Sequence, residues 1–277
     1  DSEIFCIYYD VTDGGNFEGS TILANNINAS SLGFKFDKSE SEIQNIISKC
    51  SDKLLEVRNK REQPGKDDKV ITSWNGLMIS AFLAGYRITG NSTYLDISKK
   101  SLDFFESKFE KNHILHRTFK NGEPKLNGYL DDYTNMANAS LDMFENTSDP
   151  KYLLFATNLA NYLIAHFWDE STHGFFFTSD NHEKLIIRPK NNYDLSMPSG
   201  NSVAAHVLLR LHYITQDKQF FETTKKIIES QAISAAENPF AFGYLLNVLY
   251  LYYQKPTEIT IINGKNSELI SSLRKKF

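Results

Sequence analysis

Thr89-Gly-Asn-Ser-Thr-Tyr94-Leu95, Thr147-Ser-Asp-Pro-Lys-Tyr152-Leu153 and Thr215-Gln-Asp-Lys-Gln-Phe220-Phe221 are three copies of one turn. Each has Thr, a polar residue two positions on and an aromatic five positions on. What surrounds the copies is also alike. Before them stand helices that are apolar almost all round, at 74–88 and 200–214, and a more polar one at 132–144 that carries Asn135, Asn138 and Asp142. After them come helices with one apolar stripe, at 93–110, 150–168 and 217–236. A helix apolar on every side is covered on every side, and a striped one is covered on one. The turn therefore joins an inner helix to an outer one, and the repeat predicts stacked helical hairpins. The copies lie 58 and 68 residues apart, and a longer connection at 170–197 accounts for the difference.

The pattern extends in both directions. Residues 40–60, with Ile43, Ile46, Ile47, Leu54 and Val57 apolar, read as an outer helix, and 239–253 as an inner one. The segments 111–128 and 170–197 hold short alternating stretches such as GFFFT and LIIRP, expected as β-hairpins. The tail 257–264 reads as a strand followed by a charged helix, so the expected division is a helical portion, 1–255, and an extension, 256–277. Stacked hairpins of this kind build an α/α solenoid or a closed α/α toroid. In a toroid the inner-helix starts converge on one mouth and turn their positive ends into it. Counting back fifteen residues from each Thr places those starts at Trp74, Asp132 and Gly200.

Composition excludes several functions. The chain has 277 residues, 41% of them hydrophobic and 23% charged, enough to bury a sizeable core. Lys and Arg number 30 against 34 Asp and Glu, a net charge of −4, which argues against nucleic acid as the partner. No apolar run is long enough for a membrane span, and no signal peptide is read at the N-terminus. Cys6 and Cys50, the only cysteines, have neither CxxC nor zinc spacing and are expected as reduced core thiols of a cytoplasmic protein. The N-x-S/T sequons at Asn28, Asn91, Asn138 and Asn146 are read as accidental. No ligand set with metal spacing, phosphate loop or dinucleotide fingerprint occurs, so no metal or cofactor is expected.

Five segments, in this order and spacing, resemble one family: Tyr9-Asp-Val-Thr-Asp-Gly-Gly-Asn-Phe-Glu-Gly19, Arg61-Glu-Gln-Pro-Gly-Lys-Asp-Asp-Lys69, Thr72-Ser-Trp-Asn-Gly-Leu-Met78, Gly128-Tyr-Leu-Asp-Asp-Tyr133 and Met197-Pro-Ser-Gly-Asn-Ser-Val-Ala-Ala205. It is the thioredoxin-domain-containing protein family, which includes spermatogenesis-associated protein 20. The resemblance implies an (α/α)6 toroid similar to those of N-acylglucosamine 2-epimerase and the six-hairpin glycosidases, following a thioredoxin-like domain. This sequence is expected to begin inside the toroid and to stop before its end, with eight helices where a full ring has twelve. An open ring leaves apolar flanks, so a homodimer or a second chain completing the toroid is expected.

The candidate site residues cluster at the inner-helix starts. Asp131 and Asp132 are the acid/base candidates. Adjacent helical residues point about 100° apart, so one is expected to face the cavity and the other to cap the helix. The alternative is a double cap without chemistry. Trp74 and Tyr129 are candidates to stack on a sugar ring, with Asn75, Ser199 and Asn201 binding hydroxyls; each serves equally as core filler or cap. Asp67 and Asp68, by composition a solvated turn, and Glu18, in a Gly-rich loop, join the list as further carboxylates at the mouth. Asp68 ranks with the catalytic candidates, and Asp67 and Glu18 with the binding ones. No His lies at an inner-helix start, so the epimerase mechanism does not carry over by residue. The expected function is a carbohydrate-active or carbohydrate-binding toroid, a sugar epimerase or glycoside hydrolase in its chemistry. The alternative is a non-catalytic ligand- or protein-binding module of a thioredoxin-domain protein.

Overall fold

The computed structural model describes residues 1–112, 114–183, 186–254, 256–257 and 272. The chain divides into two compact units, residues 1–67 and 68–277. The strand and helix expected beyond Thr257 fall, but for Thr257 and Ser272, outside the described residues.

The first unit holds α1 (Ser2–Tyr8), α2 (Ala29–Phe36) and α3 (Glu40–Asn59) around Ile4, Leu32, Ile43 and Ile47. Helix α3 starts on a reciprocal cap, in which Ser39 Oγ accepts from Glu42 N–H and Glu42 accepts from Ser39 N–H. Its stripe is covered only in the first half, since Leu54 and Val57 remain exposed. The short α1 and α2 lie where the sequence shows no helical period. Cys6 and Cys50 are unpaired and only half-buried, not core thiols.

The second unit is built of α/α hairpins. Inner helices α4 (Thr72–Thr89), α6 (Leu130–Thr147), α8 (Gly200–Thr215) and α10 (Gly243–Gln254) alternate with outer helices α5 (Ser92–Asn112), α7 (Pro150–His166) and α9 (Lys218–Glu237). α4 packs on α6, α6 on α8 and α8 on α10, and α4, α6 and α8 each have their own outer helix packed against them. This is the (α/α)6 toroid architecture, and the three turns that announced it share their bonds. Thr89, Thr147 and Thr215 are the last residues of α4, α6 and α8. Each hydroxyl donates to the carbonyl four residues back, at Gly85, Met143 and Leu211, and accepts the N–H two residues on. The residue between, Gly90, Ser148 or Gln216, is left-handed and stops the helix. The polar residue that follows then caps the outer helix, and the aromatic closes the hairpin; Tyr152 and Phe220 are 1% exposed.

A three-stranded antiparallel sheet, β1 (Val70–Ile71), β2 (His116–Lys120) and β3 (Glu123–Asn127), lies at the inner-helix starts. Thr72 Oγ1 donates to the His116 carbonyl at 2.5 Å and docks β2 on α4. The second expected hairpin is an irregular loop among the described residues, with one isolated bridge between Trp168 and Phe175. Side chains, not a ladder, order it. The Asn201 carboxamide accepts from Phe175 N–H and donates to the Phe175 carbonyl, and Lys190 pairs with Asp169 at 2.6 Å.

The polar residues of α6 occupy one face. Arg210 on α8 donates to Asn138, Asp142 and Glu145 at 2.7–2.8 Å, and Ser80 on α4 donates to Asp142. Charge inside the bundle is thus paired, as burial demands.

Candidate active site at the inner-helix mouth

Asp132 is wholly buried and links two helix starts. Its Oδ1 accepts from Ser73 N–H of α4 at 2.8 Å, and its Oδ2 from Tyr129 N–H at the start of α6 at 2.9 Å. Arg117 of β2 adds a charged donor, with Nη1 3.0 Å from Oδ1 and 3.0 Å from Ser73 Oγ. Burial pushes the Asp132 carboxyl from 3.8 up to about 6, while Arg117 and the two N–H groups pull it down. The Arg117 guanidinium also lies 5.6 Å from the Tyr129 ring, which is stacked on Phe177 and His182.

Asp131 faces the other way. It lines a cleft with Ser73, Leu77, Arg117, Asn135, Met197 and Pro198. No hydrogen bond is made by its carboxyl among the described residues, and burial raises it above the ordinary carboxylate range against the pull of Arg117. Gly200 at the start of α8 is what lets it fit, since a Cβ there would stand 2.7 Å from Asp131 Oδ1. The cleft is narrow, with a cavity volume of about 20 Å³, room for a single water.

None of the other candidates is among the residues that line this cleft. Trp74 is 58% exposed in the first turn of α4, and the Asn75 amide donates to the carbonyl of Ile71, the residue before that helix. Ser199 caps α8 by accepting from Ser202 N–H, and Asn201 is buried and committed to the Phe175 backbone and the Asn191 carbonyl. Neither opens onto the cleft. Asp68 is exposed, paired with Lys120 at 2.9 Å and held below its usual range by it. Asp67 is exposed and belongs to the first unit. Glu18, also there, sits in a tight turn in which Phe17 and Ser20 exchange both backbone bonds, with Glu18 and Gly19 at positive φ.

Three residues of the mouth carried no site reading in the sequence. Arg117 is one polar residue among several in an alternating strand, and nothing in its neighbours says that it turns inward. Asn135 had a signal, the i+4 spacing from Asp131 that puts both on one face. Asp194 repeats the bracket of Asp132: its carboxylate accepts from Ser199 N–H before α8 and from Tyr244 and Leu245 N–H of α10. Among the described residues no group of His, Cys, Asp and Glu could hold a metal ion, and no helix is long and apolar enough to cross a membrane.

Stacked α/α hairpins whose inner-helix starts converge on one mouth define the class, an (α/α)6 toroid. Residues 39–230 match glycosyl hydrolase family 76, and the chain belongs to that family. A GH76 alpha-mannanase from Bacteroides thetaiotaomicron shares its fold at a TM-score of 0.50, with 13% identity over 98% of this chain and 71% of that one. The cellobiose 2-epimerase of Spirochaeta thermophila gives 0.53, with 12% identity over 69% and 55%. Human spermatogenesis-associated protein 20 is 24% identical over 94% of this chain and 36% of its own length, in accord with the resemblance read from the motifs. The chain spans between 33% and 40% of the curated relatives it matches.

Proposed function

We propose that this toroid acts on glycosidic sugars, with Asp131 as its proton-transferring group. One observation carries the reading: a half-buried carboxyl, without a hydrogen-bond partner among the described residues and raised by burial, stands at the mouth cleft beside Arg117. A general acid must hold its proton more tightly than an ordinary carboxyl and reach the leaving oxygen; burial moves Asp131 in the first direction, and its place in the cleft serves the second. Asp132 cannot reach a ligand; it anchors the starts of α4 and α6 and fixes the backbone that aims Asp131. In hydrolysis the proton moves from Asp131 to the glycosidic oxygen as the bond to the anomeric carbon breaks; water then bonds to the anomeric carbon and gives up a proton that restores Asp131. The exposed Trp74 ring offers a stacking surface for a further sugar.

A non-catalytic binding module is the second reading, and the narrowness of the cleft favours it. Turnover separates the two. Wild type and Asp131→Asn would be incubated with α-linked manno-oligosaccharides and with cellobiose, following reducing ends and C2 epimer formation by NMR. The enzyme reading expects one class to be turned over, with kcat about 100- to 10,000-fold lower in Asp131→Asn and KM nearly unchanged. Glycan binding without turnover in wild type would sink the enzyme and support the module.

A further inference from the structure

We propose that Asn135 is a substrate-contacting residue, its carboxamide reading a hydroxyl of a sugar ring whose glycosidic oxygen lies at Asp131. The inference rests on the glycoside-acting reading above and specifies which group recognises the ring.

Asn135 follows Asp131 by four residues on α6, so the two side chains share a face and lie about 6 Å apart along the axis. That span is of the order of a pyranose ring. Both line the same cleft. The remaining asparagines of α6 are engaged: Asn138 accepts from Arg210 and donates to Ser80 and Asp142, and Asn146 donates to the Asp142 carbonyl. Asn135 makes no hydrogen bond among the described residues. A half-buried carboxamide with free donors and acceptor is costly unless a ligand or water satisfies it.

Its position is fixed from behind. Gly76 of α4 lies so close that a Cβ there would stand 2.7 Å from the Asn135 carbonyl carbon and 3.0 Å from its Cβ. The two helices touch backbone to backbone at this level, which leaves Asn135 little room to shift. Leu77, Met197 and Pro198 line the cleft with apolar surface suited to the C–H face of a ring. Arg117 is the one cation lining it among the described residues, and its Nη1 is spent on Asp132 and Ser73. Met197, the one exposed residue of the lining at 48%, is what a ring would displace on entry.

The test uses the full chain carrying Asp131→Asn, to hold the ligand unreacted, labelled with 15N and with 13C-methyl methionine. α-Linked mannobiose and cellobiose are titrated in turn. The Asn135 side-chain NH2 pair is assigned by its disappearance in Asn135→Ala, and the Met197 methyl reports cleft occupancy. The expected result is that one sugar shifts both signals, and that Asn135→Ala, with helicity and Tm retained, weakens its binding about 10-fold. Monodeoxy analogues then identify the hydroxyl: for one of them the Asn135→Ala penalty vanishes. A Met197 shift with an unmoved Asn135 pair and unchanged Kd in Asn135→Ala would overturn the inference and leave the glycoside reading standing. Neither signal moving with either sugar would overturn both.

Discussion

Asp131 and Asp132 are neighbours in the chain with opposite surroundings. Asp132 accepts three N–H donors out of reach of water, whereas the Asp131 carboxyl has none among the described residues and faces the cleft. The difference is measurable through stability. The Asp132 carboxyl is raised from 3.8 to about 6 in the fold, so the native state holds its proton more tightly than the unfolded chain. Its contribution to stability is therefore whole below pH 4 and lost as pH rises through 6. Asp132→Asn carries no such proton. The stability of wild type relative to Asp132→Asn should fall by about 2 kcal/mol between pH 4 and pH 7, read by urea unfolding at the two values. A constant difference would mean that the bracket holds its charge without cost. Position and residue type made the pair visible in the sequence, as did the expectation that two adjacent aspartates diverge. Which of them turns inward depends on where Arg117 arrives from β2, and a strand's side-chain direction across 15 residues is not written in either segment.

The hairpin turns were the most legible elements because their chemistry is local. A Thr that bonds back four residues, a left-handed stop and a new cap all fit within seven residues, so the repeat survives translation into coordinates nearly unchanged. Thr147→Val removes the bond to the Met143 carbonyl and leaves the Asp149 N–H unaccepted, which should cost about 1 kcal/mol in thermal or urea unfolding without altering helix content. Gly76→Ala tests packing between elements rather than within one. The new Cβ meets the Asn135 backbone, which cannot give way as a side chain would, so a loss of roughly 1–3 kcal/mol is expected. Equal stability of Gly76→Ala and wild type would show that α4 and α6 can move apart without loss of packing. The 170–197 loop was misread for the opposite reason. GFFFT has the residues of a strand, but its order comes from Asn201, 26 positions from Phe175, and from the Asp169–Lys190 pair, none of which leaves a period in the sequence.

At the scale of the molecule, the division at Asp67 and Asp68 falls in a stretch that the sequence marked only as a polar loop. Residues 52–70 are exposed without interruption, and 62–69 have no regular structure. Each unit closes its own core: Ile4, Leu32, Ile43 and Ile47 in the first, and the large cluster running from Ile79 to Val248 in the second. Separate cores joined by an exposed stretch are the condition under which a protease cuts the connection before either core opens. Lys60, Arg61, Lys66 and Lys69 offer trypsin four sites there. Brief digestion should release a fragment beginning between Arg61 and Val70, identified by mass, before cleavage occurs within α4, α6 or α8. That fragment should keep its helical circular dichroism and a cooperative melt, because the inner helices and their three Thr turns all lie within it. Rapid loss of helicity on that first cut would show that the hairpins need residues 1–67 to stay folded, and the toroid portion would then have to be counted from the start of the chain.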